Sequence, residues 1–256
     1  MDTLAPRHAD IVALAKTTGR VNVEDLAERF GVTPQTIRKD LNELCDRGML
    51  QRYHGGAVLA SGVVNFGYEA RRQIAPDEKR RIGLEAASLI SDDSSLLINI
   101  GTTTEQVALA LRDRQGLLVI TNNINVVNIL QGHEGIELIV AGGVIRHSDG
   151  GVTGDSAADF IRQFRVDHAV IGASAIDEDG SLLDFDYAEV RVAKAIMGSA
   201  RKSILVADAS KYERTAPVKI GHISDLDYFV TDEQPPQRIR QICQDHDVRI
   251  ILAGAA

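Results

Sequence analysis

With 256 residues, 44% of them apolar and 25% charged, the chain has the composition of a folded globular protein and is too apolar for disorder. No run approaches the roughly 18 consecutive apolar residues of a membrane span, and MDTLAPRHAD lacks the apolar core of a signal peptide, so a cytoplasmic protein with no membrane partner is expected. The net charge of −8 is unevenly placed: residues 1–60 hold eight Lys/Arg and eight Asp/Glu, leaving the whole acidic excess to residues 61–256. A neutral head on an acidic body suits specific DNA binding through one locally basic face, the body being repelled from the duplex. Cys45 and Cys243 stand far apart with no second pair or His cluster, which supports neither a disulfide scaffold nor a metal site; two reduced thiols and no cofactor are expected.

In chain order, RHADIVALAKTTG places Ile11, Val12, Leu14 and Ala15 at helical spacing and stops at Gly19. A short β-like VNV follows at 21–23, then a helix with Leu26, Ala27 and Phe30 as its apolar stripe and Gly31 at its end. The third helix starts on Thr33 as N-cap with Pro34 in its first position, buries Ile37, Leu41 and Leu44, and ends at Gly48. MLQRYHGGAVLA reads as two strands joined at His54-Gly55-Gly56. Three helices and a hairpin make a winged helix-turn-helix over residues 1–60. Its recognition helix would offer Thr33, Gln35, Thr36, Arg38 and Lys39 to the major groove, where Gln suits adenine and Arg suits guanine. Arg52 and His54 in the wing are candidates for phosphate or minor-groove contacts.

Residues 61–76 mix Gly, Pro and polar positions and are expected to be a linker. From Asp77 onward seven apolar runs, 95–100, 117–122, 136–143, 167–174, 202–208, 227–232 and 248–252, alternate with amphipathic stretches, the pattern of a largely parallel sheet flanked by helices. After the first run, Gly101, Thr102, Thr103 and Thr104 fall at a strand-to-helix turn, which is either an ordinary N-cap or, with its unpaired amides and helix dipole, a seat for an anion. Asn122, Gly142 and Gly143 fall just past later runs, the edge at which open α/β sheets bind ligands. Asp184, Asp186, Glu189, Arg191 and Lys194 cluster in LLDFDYAEVRVAK, and Asp208, Ser210 and Lys211 in VADASKY; these could read a polyol and its phosphate, while Glu189, Arg191 and Lys194 could equally be a solvated helix face.

Arg7, TPQTIRKDLNEL at 33–44 and GMLQRYHGGA together resemble the head of the deoxyribose-operon-repressor (DeoR) family. INIGTTT, TNNINV, AGGVIR, GGVTGDSAADFI, DGSLLDFDYAEVR and DASKY resemble its sensor half, so the likeness covers nearly the whole chain. Two positions depart from the family pattern: Ala15, where a larger aliphatic is usual, and Tyr53 in the wing, where a basic His is usual. The resemblance implies a repressor of double-stranded operator DNA and a sensor fold like that of sugar-phosphate isomerases. It further implies a phosphorylated inducer, with glycerol 3-phosphate favoured over another sugar phosphate, and a homo-oligomer, a tetramer of paired dimers. It carries Gly101, Thr102, Thr103, Asn122, Gly142, Gly143, Arg146, Asp149, Asp186, Glu189 and Lys211 over as ligand contacts. The rival class is an isomerase or deaminase using Asp186 or Glu189 beside Lys211 for proton transfer; a fused DNA-binding head, which such an enzyme does not need, weighs against it.

Overall fold

The computed structural model describes residues 6–18, 20–46, 49–53, 55–59 and 68–254, and divides into two compact units between Ile74 and Ala75. The first unit holds α1 (Pro6–Thr18), β1 (Arg20–Asn22), α2 (Val23–Phe30), α3 (Pro34–Asp46), β2 (Leu50–Tyr53), β3 (Gly56–Leu59) and α4 (Tyr68–Gln73). Ile11, Ala15, Leu26, Ile37, Leu41, Leu44 and Leu50 form its core, each within 1% of full burial, so the small Ala15 is accommodated at a closed contact. Gly31 ends α2 at φ +62°, a left-handed position that an L side chain adopts only with strain, and its amide closes onto Ala27 O and Glu28 O.

Three details of this unit differ from the sequence reading. Val23 begins α2 rather than ending a strand. Arg20–Asn22 joins the hairpin as a third strand, in the order β1-β3-β2, because Arg20, Val21 and Asn22 pair with Val58, Ala57 and Gly56. Within 61–76, expected as linker, Tyr68–Gln73 is helical and packs on α1, and Ile74 joins the head core. Gly19, Gly48, His54 and residues 61–67 lie outside the described residues.

The second unit begins with α5 (Pro76–Ser88) and continues through β4 (Ser95–Ile98), α6 (Thr102–Ala110), β5 (Leu117–Thr121), α7 (Ile124–Leu130), β6 (Ile136–Val140), β7 (Val144–Ile145), β8 (Val152–Thr153) and α8 (Asp155–Ile161). It then runs through β9 (Val166–Ile171), β10 (Ala175–Ile176), β11 (Ser181–Asp184), α9 (Tyr187–Gly198), β12 (Ala200–Val206), β13 (Val218–His222), β14 (Tyr228–Thr231), α10 (Gln237–Asp245) and β15 (Arg249–Leu252). All seven expected runs enter one parallel sheet, ordered β15-β14-β12-β9-β4-β5-β6. Alternation splits their side chains between two cores. Leu97, Ile120, Ala169, Leu205 and Phe229 pack on one face; Leu96, Ile98, Val119, Val170, Ile204 and Val230 pack on the other.

The chain leaves β4 toward β6 on one side, then returns to β9 on the other and proceeds to β15, so strand order reverses between β4 and β9. In open α/β sheets such a reversal is where the flanking loops part and a ligand crevice forms, at the carboxyl ends of the strands. Two small antiparallel pieces were not foreseen: the β7–β8 hairpin and the sheet β10-β11-β13. The run read as extending to Gly143 stops at Val140, and Gly142 and Gly143 shape an exposed turn into β7. Among the described residues no helix is long and apolar enough to cross a membrane, and both cysteines are free.

Candidate functional site

The head presents a polar surface along the start of α3. Thr33 caps the helix: its Oγ1 accepts from the Thr36 amide at 3.2 Å and lies 3.0 Å from the Thr36 hydroxyl. Thr33, Gln35, Arg38 and Lys39 are exposed and Thr36 is half-buried, while Ile37 and Leu41 turn into the core. Arg52 is exposed on β2; His54 lies outside the described residues. Arg38 approaches Glu24 at 3.8 Å with both side chains about half exposed or more, a screened pair that leaves the guanidinium available to a stronger anion.

Asp40, in the same helix, does not belong to this surface. It is buried and receives Arg7 through Nε at 2.6 Å and Nη2 at 3.1 Å, with His8 Nε2 at 3.2 Å. The Arg and Asp of the sequence signature therefore tie α1 to α3. Burial works against the ionised carboxyl, but the hydrogen bonds from Arg7 and His8 outweigh it and keep Asp40 below the usual carboxylate range. A depressed acid contributes stability that is complete above its unfolded value, about 3.9, and is lost as pH falls through the folded value. Asp40→Asn is accordingly expected to lower the head's thermal midpoint at neutral pH and to flatten its fall between about pH 5 and 3, as read by circular dichroism melts; an unchanged acid limb would show that the clamp contributes nothing.

In the second unit the first turn of α6 lies at the crevice between β4 and β9. Thr102, Thr103 and Thr104 are buried, and no side chain caps the helix. The Thr104 hydroxyl folds back on Asn99 O at 2.8 Å and Gly101 O at 2.7 Å, which closes the turn and leaves the first amides of the helix without intrahelical acceptors. Gly101 sits at φ +149°, where an added Cβ would come 3.3 Å from Thr104 Oγ1. The buried amide oxygens of Asn99 and Asn122, at the ends of β4 and β5, have no hydrogen-bond partner among the described residues.

A polar network runs outward from this turn. Glu105, buried on α6, accepts from Asn123 Nδ2 at 3.2 Å and Asn125 Nδ2 at 3.0 Å; Asn125 Nδ2 also reaches Asp149 O at 2.9 Å. Asn122 exchanges main-chain and side-chain bonds with Val152, and a Cβ on Gly151 would lie 2.4 Å from Ile100 Cδ1, so the 146–152 loop presses onto the end of β4. Arg146 in that loop forks onto Asp149 (2.8 and 2.6 Å) and also donates to Asp186 Oδ2 at 2.7 Å and Glu189 Oε2 at 2.6 Å. Asp186 caps α9 by accepting from the amides of Ala188 and Glu189. Burial opposes the Arg146 charge, yet the carboxylates raise its affinity for the proton further.

Of the expected contacts, Gly101, Thr102, Thr103, Asn122, Arg146, Asp149, Asp186 and Glu189 thus share one connected region. Gly142 and Gly143 are exposed in the turn into β7, Gly143 standing against Val152. Lys211 is buried 3.9 Å from Asp208 Oδ2 just past β12. Arg191 pairs with Asp155 at 2.8 Å and Lys194 is exposed, so only Glu189 of that trio turns inward. Sequence reasoning missed Asn99, Glu105, Asn125 and the buried Lys79 of α5; Glu105 and Lys79 lie in helical stretches where a charge reads as solvated, and nothing local marks them otherwise.

The description "DeoR C terminal sensor domain" matches residues 74–233, and "DeoR-like helix-turn-helix domain" matches residues 7–63. The chain is 46% identical to the glycerol-3-phosphate regulon repressor of Escherichia coli (strain K12), over 96% of this chain and 98% of that protein. It is 44% identical to the repressor of the same description from Haemophilus influenzae, over 97% of this chain and 96% of that one. These relatives are transcriptional repressors, not enzymes. Ribose 5-phosphate isomerase A from Methanocaldococcus jannaschii matches 54% of this chain and 54% of its own at 18% identity and a TM-score of 0.41.

Proposed function

Since the chain belongs to the DeoR family of helix-turn-helix transcriptional repressors, we propose that a phosphorylated polyol, glycerol 3-phosphate, enters the crevice between β4 and β9 and weakens its hold on operator DNA. The observation that carries this reading is the uncapped, buried first turn of α6 at the topological switch point. Amides of Thr102 and Thr103 supply donors there, the helix dipole favours a dianion, and Gly101 lets the phosphate approach the backbone. The description of two near-full-length relatives supports the choice of glycerol 3-phosphate among phosphates.

In the head, Thr33, Gln35, Thr36, Arg38 and Lys39 read the major groove, with Arg52 and His54 of the wing on the flanking backbone. Paired heads on neighbouring half-sites account for a homo-oligomer, the tetramer of paired dimers that the family resemblance implies. The connection from head to sensor falls within 61–76, of which Tyr68–Ile74 packs with the head. A ligand shifts an equilibrium only by its differential affinity for two states, and a coupling of about 1–3 kcal/mol changes operator affinity roughly 5–150-fold.

The test is a gel shift on the DNA upstream of the chain's own gene, at fixed salt, with and without sn-glycerol 3-phosphate. Release of the operator at millimolar ligand or below, and its loss in Gly101→Val, is the expected result. Retention of the complex with glycerol 3-phosphate but release by another sugar phosphate would overturn the ligand and keep the site.

A further inference from the structure

Ala75, the first residue of the sensor unit, caps α5 with φ +49° and ψ +51°. That is the left-handed region, where the Cβ of an L residue crowds the following carbonyl oxygen. Two further preferences are broken at the same place. A residue before proline is driven toward extended backbone, and Ala75 precedes Pro76. A helix N-cap is ordinarily extended as well, as Asn22, Asn123 and Asp186 are at the starts of α2, α7 and α9. The other non-glycine residues with positive φ among those described, Asp93 and Asp247, belong to a type that tolerates it. Strain of this kind persists only where the surroundings enforce it.

The surroundings do so from both sides. Ala75 O accepts from the Lys79 amide at 3.0 Å, which closes the first turn of α5. The Lys79 side chain is only 2% exposed and favours the charged form of Asp208, just past β12, so this turn is tied into the sheet. Further along, a Cβ on Gly83 would lie 2.6 Å from the main-chain carbonyl carbon of Gln106. Helices α5 and α6 thus meet backbone to backbone, and a shift of α6 is passed to α5. On the other side of Ala75 the neighbouring residue, Ile74, packs into the core of the head. One strained residue therefore joins a side chain anchored in the head to a helix anchored on β12 and α6.

We propose that Ala75 is a two-state joint through which the sensor acts on the head: an anion seated on α6 moves α5, and Ala75 passes between its left-handed conformation and an extended one. This rests on the reading of α6 as the phosphate seat. Hinges are a few element-terminal residues that absorb large φ/ψ changes, and packed cores amplify small shifts because they have discrete arrangements. Alanine suits the task where glycine does not. Glycine adopts both conformations about equally and would transmit nothing, whereas a left-handed alanine stays only while the Lys79 turn holds it.

The experiment is calorimetric titration of sn-glycerol 3-phosphate into the full chain alone and into the full chain saturated with its upstream operator duplex. The ratio of the two affinities is the coupling between the sites, expected at roughly 5–150-fold in the unaltered chain. In Ala75→Gly it should fall to within about threefold, because the joint becomes permissive. Ala75→Val, whose branched side chain excludes the left-handed state, should collapse the ratio as well by fixing the extended one. Lys79→Met keeps the buried stem but cuts the tie to Asp208, and is expected to reduce the ratio; if it fails to fold, the two Ala75 variants still decide. An undiminished ratio in folded Ala75→Gly overturns the joint and leaves the phosphate seat standing. Equal affinities with and without operator in the unaltered chain, or no binding at all, overturn the reading beneath it as well.

Discussion

Arg146→Ala is expected to destabilise the sensor by about 3–5 kcal/mol, because it strands carboxylates that the fold has already taken out of water. Asp149 and Glu189 have side chains 1% and 10% exposed, and both direct oxygens at the same guanidinium, with the more open Asp186 on its third nitrogen. Removing one partner of a buried ion cluster costs more than the cluster contributes, since the survivors keep their desolvation penalty and lose their compensation. Arg146→Lys retains a charge but cannot fork, and should fall between the two. Urea unfolding of the full chain followed by far-ultraviolet circular dichroism reads both. A loss below about 1 kcal/mol would mean that water replaces the guanidinium easily and that the loop is not pinned by it. Asp186 adds a pH dependence of known sign: burial opposes its charge, but the α9 amides and Arg146 hold it below the usual range, so its contribution is complete above about pH 4 and fades as pH falls through the folded value.

Arg38→Ala is expected to abolish specific operator binding while leaving glycerol 3-phosphate binding unchanged. A bidentate contact to a base edge is worth about 1–3 kcal/mol of discrimination, which is roughly 5- to 150-fold, enough to bring a specific complex toward the non-specific background. The fold has little to lose, because the pair of Arg38 with Glu24 is long and exposed. Operator gel shifts and effector calorimetry on the same preparation separate the outcomes: loss of operator binding alone places Arg38 on the DNA, whereas loss of both makes it a folding residue.

Much of this was legible in one dimension. The seven apolar runs became the seven parallel strands; the five inner ones are apolar because both their faces are buried, while the edge strands β6 and β15 are partly exposed. The head was legible for a related reason: caps, glycine stops and the 3.6-residue stripe of Ile37, Leu41 and Leu44 are local constraints. The threonine turn at Gly101 announced itself because strand, glycine and helix start are adjacent in sequence.

What the sequence could not carry is pairing between distant residues. Strand order, and with it the switch point between β4 and β9, depends on which strands find each other across 72 positions of chain, as Leu96 finds His168. The resemblance carries Arg146 over as a ligand contact; only the folded chain brings Asp149, Asp186 and Glu189 onto it. Asp40 reads as one more polar residue of the recognition helix until Arg7 closes on it. Lys79 and Asp208 lie 129 positions apart, and a charged residue in a helical stretch is solvated by default, so burial beside an opposite charge is decided only when α5 packs against the end of β12. Periodicity and turn chemistry fix elements because they act within a few residues; the site is fixed by desolvation and charge compensation, which act through space.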